Sequence, residues 1–257
     1  MKRLIRKLLG IFGYEISRKR KHVEWGIVGY LNFQNIVEFY IAQHPNPADI
    51  QVVQVGANDG RMHDPVYSLI TDNGLKACLI EPQPNVFERL KENYAGFDGA
   101  EFVNAVISDK QGKASFYSLS DSLQVPGKDF NFSGISSLSR EHVVRGFQKY
   151  ARRYGIKARL EDCLRKIEVD SMPLSILLEN KNIDKIDILQ IDAEGFDYEV
   201  LKTIDFSKTK PFIIHFEHSS LSDSDKSECW KMLAAQGYSC AIDGTDSVCL
   251  LTDRGGQ

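Results

Sequence analysis

Short apolar segments alternate with amphipathic segments from about residue 50 onwards, and this alternation restricts the fold more than any other feature of the chain. The apolar segments have the length and composition of buried strands, whereas Pro84–Ala95 carries Val86, Phe87, Leu90 and Tyr94 on one helical face. Alternating strands and helices predict an α/β fold with a mostly parallel sheet covered by helices on both faces. The predicted strands are Ile50–Val55, Lys76–Ile80, Glu101–Ile107, Ala114–Leu119, Ile186–Ile191, Pro211–Phe216, Tyr238–Ile242 and Val248–Leu251.

The last two predicted strands flank Asp243 and Gly244, a pair of residues typical of tight hairpin turns. We therefore expect a C-terminal antiparallel hairpin at the edge of the sheet. The whole pattern predicts one domain over residues 49–257, preceded by an N-terminal extension over residues 1–48.

Residues 120–168 interrupt the alternation and predict an insertion within the domain. Glycine and serine residues mark a loop, and a helix is predicted over Arg140–Tyr154. Nine basic residues and three acidic ones lie between Arg140 and Lys166. The insertion is interpreted as a lid or a wall of the acceptor site, and a solvated helical excursion is the alternative.

Charge is distributed unevenly along the 257 residues, although the formal net charge is only −3. Eight basic residues lie within residues 1–21, where Glu15 is the single acidic one. The remaining chain carries 24 basic and 34 acidic residues, which argues against binding of nucleic acid along the domain. Within residues 1–21, the pattern predicts a basic amphipathic helix of about three turns that ends near Gly10 or Gly13. This helix either contacts an anionic membrane surface or packs its apolar face on the domain.

Several features favour a cytoplasmic protein whose only predicted membrane contact is peripheral, at the inner face. No apolar segment reaches the ~18 residues that a membrane-spanning helix needs. The basic residues Arg6 and Lys7 interrupt the N-terminal apolar stretch, and no small-residue cleavage site follows it. The five cysteines are odd in number and form no C-x-x-C pair, which argues against a disulfide framework and is typical of a reducing cytosol.

A glycine loop after the first predicted strand has the position of a nucleotide-binding loop. Gly56 and Gly60 let the backbone approach a ligand closely, and Glu81 ends the next strand, where a carboxylate can accept hydrogen bonds from a ribose diol. The dinucleotide pattern G-x-G-x-x-G fails at Asn58 and Arg61, and no P-loop follows. A G-x-N-x-G loop suits a compact zwitterion better than a pyrophosphate, which points to S-adenosylmethionine.

Five sequence blocks together resemble the FkbM-type methyltransferases over residues 50–251. The blocks are Val55–Gly60, Ile80–Pro82, Asn104–Asp109 with Gly112, Ser136–Leu138 and Ile191–Gly195. The resemblance implies a class I methyltransferase (Rossmann-like) fold, S-adenosylmethionine as cofactor and usually a hydroxyl acceptor. Together with the loop argument, it places the cofactor against Gly56, Ala57, Asn58, Asp59, Gly60, Glu81, Asn104, Ala105 and Asp192. The family usually has an acidic residue where this chain has Gln54, so a contact to the cofactor's ammonium group would be weakened or replaced.

Methyl transfer to a hydroxyl needs a group that removes the acceptor's proton. The candidates follow the two late predicted strands, because the carboxyl ends of parallel strands border the ligand crevice. We predict that Glu217 removes the proton, with His218 and Asp192 as helpers. Glu194 has the alternative role of a helix cap, and His215 that of a core histidine. Asp192, Glu217 and His218 have the residue types of a divalent-metal site, but without dedicated spacing no metal is predicted.

These patterns predict an S-adenosylmethionine-dependent methyltransferase that acts on a sugar or other hydroxyl in a glycan, a glycolipid or a natural product. An NAD(P)-dependent oxidoreductase and a cofactor-binding module without catalysis are the alternatives. The expected partners are a small-molecule or glycan acceptor and, through residues 1–21, an anionic membrane surface; nucleic acid is not expected.

Overall fold

The computed structural model describes residues 32–120, 123 and 132–252 of the protein and has a mixed α/β fold. The strands are β1 (Gln51–Val55), β2 (Lys76–Ile80), β3 (Ala100–Val103), β4 (Val106–Ile107), β5 (Gly112–Leu119), β6 (Leu164–Met172), β7 (Ile188–Ile191), β8 (Ile213–Glu217), β9 (Tyr238–Asp243) and β10 (Asp246–Leu251). The helices are α1 (Phe33–Gln43), α2 (Tyr67–Asn73), α3 (Pro84–Asn93), α4 (Arg140–Tyr154), α5 (Leu160–Cys163), α6 (Leu174–Lys181), α7 (Asp197–Lys202) and α8 (Asp223–Ala235).

The larger of two sheets has the strand order β3-β2-β1-β7-β8-β10-β9. The first five strands in this order run parallel to one another, whereas β10 runs antiparallel to both β8 and β9. The predicted mostly parallel sheet with a C-terminal antiparallel hairpin is therefore confirmed. The chain builds outwards from β1 to β3 and then returns to the other side of β1 with β7. Ligands bind at such switch points, outside the carboxyl ends of the strands.

Helices cover both faces of this sheet. Side chains alternate between the two faces along each strand, and the apolar side chains on each face pack against their own set of helices. Val52 and Ile188 pack with buried residues of α1, α2 and α3 on one face. Val53 and Leu189 pack with buried residues of α6, α7 and α8 on the other. Both layers leave the carboxyl ends of β1, β2 and β7 free to form the floor of a site.

The predicted strand Glu101–Ile107 is wrong as a single element, because the chain changes sheet in its middle. β3 ends at residue 103, and the Asn104 side-chain amide donates hydrogen bonds to the carbonyl oxygens of Glu81 and Pro82, at 2.8 and 3.1 Å. These contacts hold the chain out of the parallel ladder. β4 then pairs with β6 in the second sheet.

The second sheet has the order β4-β6-β5 and was not predicted. The predicted strand Ala114–Leu119 is confirmed as part of β5, which pairs antiparallel with β6 over eight residues. Much of β6 is exposed and rich in charged residues, including Arg165, Lys166, Glu168 and Asp170, so its sequence lacks the apolar pattern of a buried strand.

The segment predicted as an insertion connects β5 and β6 and carries α4, whose predicted bounds are confirmed. Ser139 caps the first turn of α4, and Gly155 ends it in the left-handed conformation with φ +64°. The apolar side of α4 packs in a separate cluster with Leu119, Phe132, Ile135 and Cys163. The described part of the insertion therefore has its own small core.

Cys240 and Cys249 form a disulfide bond, which corrects the expectation that no disulfide framework is present. They are paired opposite each other in β9 and β10, with Cα atoms 4.0 Å apart. The pairing depends on the register of the hairpin, which the spacing of cysteines along the sequence does not reveal. Cys78, Cys163 and Cys229 are buried free thiols.

The predicted basic helix in residues 1–21 lies outside the described residues. Within the predicted extension, α1 is described and docks on the C-terminal hairpin, where the backbone N–H of Phe33 donates to Asp243 at 2.7 Å. The described helices include none whose length and apolar character would let it cross a membrane.

Candidate active site

A cavity lies at the carboxyl ends of β1, β2 and β7, under a roof supplied by the insertion. Of the residues predicted to bind a cofactor, Gly56, Ala57, Asn58, Glu81, Ala105 and Asp192 line it. Asp59, Gly60 and Asn104 are not among its described lining residues. They make hydrogen bonds within the loops that surround the cavity. Asp59 accepts hydrogen bonds from the backbone of Arg61 and Met62, at 3.0 and 2.8 Å.

Gly56 allows the ends of β1 and β7 to approach each other. Its φ is +79°, and a Cβ atom added there would lie 1.9 Å from the carbonyl oxygen of Asp192. The Asp192 N–H in turn donates to the carbonyl oxygen of Val55 at 2.9 Å. Glycine at position 56 therefore lets the backbone after β1 pack directly against the backbone after β7.

Glu81 fixes the glycine loop from the neighbouring strand. Its carboxylate is buried and accepts hydrogen bonds from the backbone N–H groups of Asn58, at 3.0 Å, and Gln83, at 2.9 Å. Burial raises the pKa of Glu81 to about 7, although these hydrogen bonds oppose the rise. A carboxylate is thus held at the cavity wall in a titratable state near neutral pH.

The roof is formed by Ser133, Gly134, Ser136 and Leu138 of the insertion. The side-chain amide of Gln83 donates to the Ser133 carbonyl oxygen and to the Ser136 hydroxyl, both at 3.0 Å. The Ser133 hydroxyl donates to the Asn58 side chain at 3.0 Å. The roof is therefore bound directly to the loop that forms the floor.

Two buried glutamines, Gln54 and Gln190, line the cavity side by side on β1 and β7. The Gln54 amide donates to the Asp64 carboxylate at 3.1 Å, while its Oε1 atom and that of Gln190 have no hydrogen-bond partner among the described residues. Asp64 also lines the cavity, and burial raises the pKa of its carboxyl. An acidic side chain thus lies within hydrogen-bond distance of Gln54 at this end of the cavity.

Asp192 and Glu194 follow β7 and both line the cavity. Burial, together with the neighbouring carboxylates of Glu194 and Glu217, raises the pKa of Asp192 to about 8. The Glu194 carboxylate lies 3.1 Å from the Nε2 atom of His142 on α4. Sequence reasoning missed His142, because it has no local motif and reaches Glu194 only through packing of the insertion.

Glu217 and His218 are not among the described residues that line the cavity. The Glu217 carboxylate accepts the Ser220 hydroxyl at 2.7 Å, and its influence on the cavity is electrostatic, through Asp192. The Nδ1 atom of His218 lies 3.1 Å from the Ser247 hydroxyl. The structure thus brings Asp192 to the cavity and leaves the other two predicted catalytic residues beside it.

His215 lies in the core, where its ring stacks on Phe33 with the centroids 4.1 Å apart. Burial lowers its pKa to about 4, so its ring is neutral at physiological pH. Among the described residues, no group of three or more His, Cys, Asp or Glu side chains has an arrangement that could hold a metal ion.

Comparison with known proteins matches residues 54–240 to the family described as the methyltransferase FkbM domain. Methyltransferase sdnD of Sordaria araneosa is 27% identical over 168 residues, which cover 62% of this chain and 62% of that protein, so less than two thirds of its length is matched. The crystal structure of methyltransferase FkbM from Methylobacillus flagellatus KT is 12% identical, with 82% of this chain and 46% of that one covered and a TM-score of 0.49. The N-terminal domain of human METTL16 in complex with SAH is 14% identical, with 96% and 79% covered and a TM-score of 0.41.

The close contact between Gly56 and the carbonyl oxygen of Asp192 leaves no space for a side chain at position 56. We expect Gly56→Ala to lower the free energy of unfolding by about 3 kcal/mol, because the methyl group meets the Asp192 backbone and the left-handed conformation is unfavourable for alanine. Gly74→Ala is the matched control, since Gly74 has φ +66° and open space around it, and should cost only about 1 kcal/mol. Urea denaturation measures both, and equal stabilities of the two variants would contradict this account.

Proposed function

The chain belongs to the methyltransferase FkbM domain family, and on that premise we propose that it transfers a methyl group from S-adenosylmethionine to a hydroxyl of its acceptor. The observation that carries the cofactor assignment is the cavity itself, in which a buried carboxylate and a glycine loop meet at the switch point of a parallel sheet.

The wall beside β2 fits the adenosine part of the cofactor. Glu81 would accept hydrogen bonds from the two ribose hydroxyls, as carboxylates at this position do in nucleotide-binding sheets. Beyond it the lining turns apolar, which suits a flat heterocycle. The apolar lining residues on this side are Ile80, Pro82, Ala105, Val106, Ile107 and Phe116.

The opposite end of the cavity fits the amino-acid part. The buried amide oxygens of Gln54 and Gln190 have no hydrogen-bond partner in the part of the chain that the structure describes, and an ammonium group supplies the donors that such oxygens require. Asp64 lies behind Gln54 at hydrogen-bond distance and adds the negative charge that Gln54 itself lacks. This arrangement supports the interpretation that the ammonium contact is replaced rather than lost.

The bound cofactor supplies an activated methyl group, so the protein has to orient the acceptor and take up its proton. The sequence-based assignment of proton removal to Glu217, with His218 and Asp192 as helpers, stays a prediction. The cavity lining supports Asp192 as the member of this set that can contact the reacting groups. Glu217 lies outside the lining, and its negative charge would help to raise the pKa of Asp192.

For the acceptor we propose a hydroxyl on an anionic glycan, glycolipid or natural product. The support is the charge of α4, whose exposed Arg140, Arg145, Arg152 and Arg153 lie on the element that packs against the cavity through His142. A basic wall beside an otherwise acidic domain attracts negatively charged acceptors.

Calorimetric titration with S-adenosylhomocysteine and, separately, with NADH tests the cofactor assignment. We expect saturable binding of S-adenosylhomocysteine and none of NADH. Incubation with methyl-labelled S-adenosylmethionine and a cell extract should then place label in an acceptor fraction. Binding of NADH alone would favour an oxidoreductase, and cofactor binding with no transfer to any fraction would favour a module without catalysis.

Glu81 should make cofactor binding depend on pH. Its carboxylate is fully ionised only above its pKa of about 7, and the ionised form is the better acceptor for the ribose hydroxyls. The affinity for S-adenosylhomocysteine should therefore fall by roughly tenfold from pH 8 to pH 6. Glu81→Gln should weaken binding by ~1.5–3 kcal/mol at pH 8 and abolish this part of the pH dependence.

Glu88→Gln is the control for Glu81→Gln, because Glu88 lies exposed on the nearby α3. Circular dichroism and the melting temperature confirm that each variant is folded. If Glu81→Gln binds S-adenosylhomocysteine as tightly as the unaltered protein at every pH, the ribose assignment is wrong.

We also propose that residues 1–21 bring the domain to an anionic membrane surface, supported by their eight basic residues. The full chain should sediment with vesicles rich in phosphatidylserine at low salt and be released as salt rises, because screening weakens exposed charge attraction. Deletion of residues 1–21 should abolish sedimentation and leave S-adenosylhomocysteine affinity unchanged. A full-length chain that stays in the supernatant at low salt would contradict the proposal.

A further inference from the structure

The Glu194 carboxylate is shared between the cavity and the insertion. Its Oε2 atom accepts a hydrogen bond from His142 Nε2 at 3.1 Å. Its Oε1 atom lies beside Gly134 of the roof, where an added Cβ would be 3.7 Å away. One oxygen is thus occupied by the imidazole, while the other faces the roof of the cavity.

The backbone around Glu194 is held in an unfavourable conformation. Its φ is +49°, which is uncommon for a residue with a side chain, and the following Gly195 has φ +89°. The Ser137 hydroxyl donates to the Glu194 carbonyl oxygen at 3.1 Å and holds the turn. A Cβ at Gly195 would lie 3.0 Å from His142 Nδ1, so a side chain there would displace the imidazole by a few tenths of an ångström. Such strain persists where surrounding structure enforces it, often at active sites.

The two cavity carboxylates after β7 have different electrostatic surroundings. Burial and the neighbouring carboxylates of Glu194 and Glu217 raise the pKa of Asp192 to about 8, which favours its protonated form. Burial also raises the pKa of Glu194, but the hydrogen bond and charge of His142 oppose the rise. The other charged groups that face Glu194 are Lys149 on α4, which favours its ionised form, and Glu217 on β8, which disfavours it. Neighbouring acids whose surroundings differ in this way commonly divide the acid and base roles.

In place of the sequence-based assignment to Glu217, we propose that Glu194 removes the proton from the acceptor hydroxyl, and that His142 is the positioning residue that orients the Glu194 carboxylate. This inference rests on the proposed methyltransferase function. The acceptor oxygen forms its bond to the methyl carbon while the carbon–sulfur bond breaks, and the bonding electron pair stays on sulfur. The acceptor's proton passes to Glu194 Oε1 and leaves to solvent after the product departs.

The assignment makes the insertion part of the catalytic apparatus. His142 lies on α4, whereas Glu194 belongs to the turn between β7 and α7, so the pair forms only when the insertion is packed on the sheet. The same insertion forms the roof, which binds the glycine loop through Ser133. The described part of the insertion therefore both roofs the cavity and carries the residue that orients the proton acceptor.

Glu194→Gln, His142→Gln and Glu141→Gln test the proposal in the full chain. Glu141 precedes His142 on α4 and forms an exposed pair with Arg145, which makes it the matched control. The measurements are S-adenosylhomocysteine affinity by calorimetry and the initial rate of labelled methyl transfer to the extract fraction that accepts label, at saturating S-adenosylmethionine from pH 5.5 to 9.

We expect all three variants to keep their affinity for S-adenosylhomocysteine within threefold. Glu194→Gln should lose roughly 10²–10⁴-fold in rate, the usual effect of removing a general base. His142→Gln should move the acid limb of the pH–rate profile to higher pH, because the Glu194 carboxylate loses its stabilising partner. A purely structural role of His142 would lower the rate without moving that limb. Glu141→Gln should change neither rate nor profile.

If Glu194→Gln binds the cofactor normally and keeps more than a tenth of the rate, this proposal is wrong, whereas the proposed function stands. This proposal would also fall if the acid limb were lost in Asp192→Asn or Glu217→Gln and retained in Glu194→Gln. An unaltered protein that binds no S-adenosylhomocysteine, or transfers no label, would overturn the proposed function and this inference with it.

Discussion

The site depends on one close contact, in which the backbone at Gly56 packs against the carbonyl oxygen of Asp192. Because residue 56 has no side chain, β1 and β7 stay paired to their last residues while both chains turn away from the sheet. On the β1 side, the turn aims the Asn58 N–H at the Glu81 carboxylate. On the β7 side, it carries Asp192 into the lining and brings Glu194 towards the insertion. Both halves of the cavity therefore follow from the same backbone contact.

Charge is the second constraint, because several buried carboxyl groups gather at one edge of the sheet. Burial raises the pKa of each of these groups, and for most of them a neighbouring carboxylate adds to the rise, which means that ionising them in the free protein costs stability. The carboxyl groups with raised pKa values are those of Asp64, Glu81, Asp192, Glu194, Asp197 and Asp246. A cofactor that carries a sulfonium and an ammonium group would offset this cost.

Local patterns predicted the elements that depend on nearby residues, and these are confirmed. The central strands and α4 follow from apolar periodicity and capping residues, because a helix or a buried strand is recognisable within a short stretch. The features that sequence reasoning missed depend on distant contacts. The chain leaves the large sheet at Asn104 because its amide reaches the loop after β2, and Cys240 meets Cys249 because of hairpin register. His142 becomes interpretable only when the insertion is folded over β7.

The insertion also explains how one sheet edge can serve a specific acceptor. Loops at the ends of strands vary without disturbing the core, so acceptor recognition is free to change while the cofactor site is preserved. Here the loop is not a passive cover, since Ser133 and Ser137 bind the two turns that follow β1 and β7. On the proposed function, an acceptor held by the basic face of α4 would contact the same helix that holds His142 against Glu194. Binding energy from a part of the acceptor remote from the reacting hydroxyl would thereby be used to orient the proton acceptor.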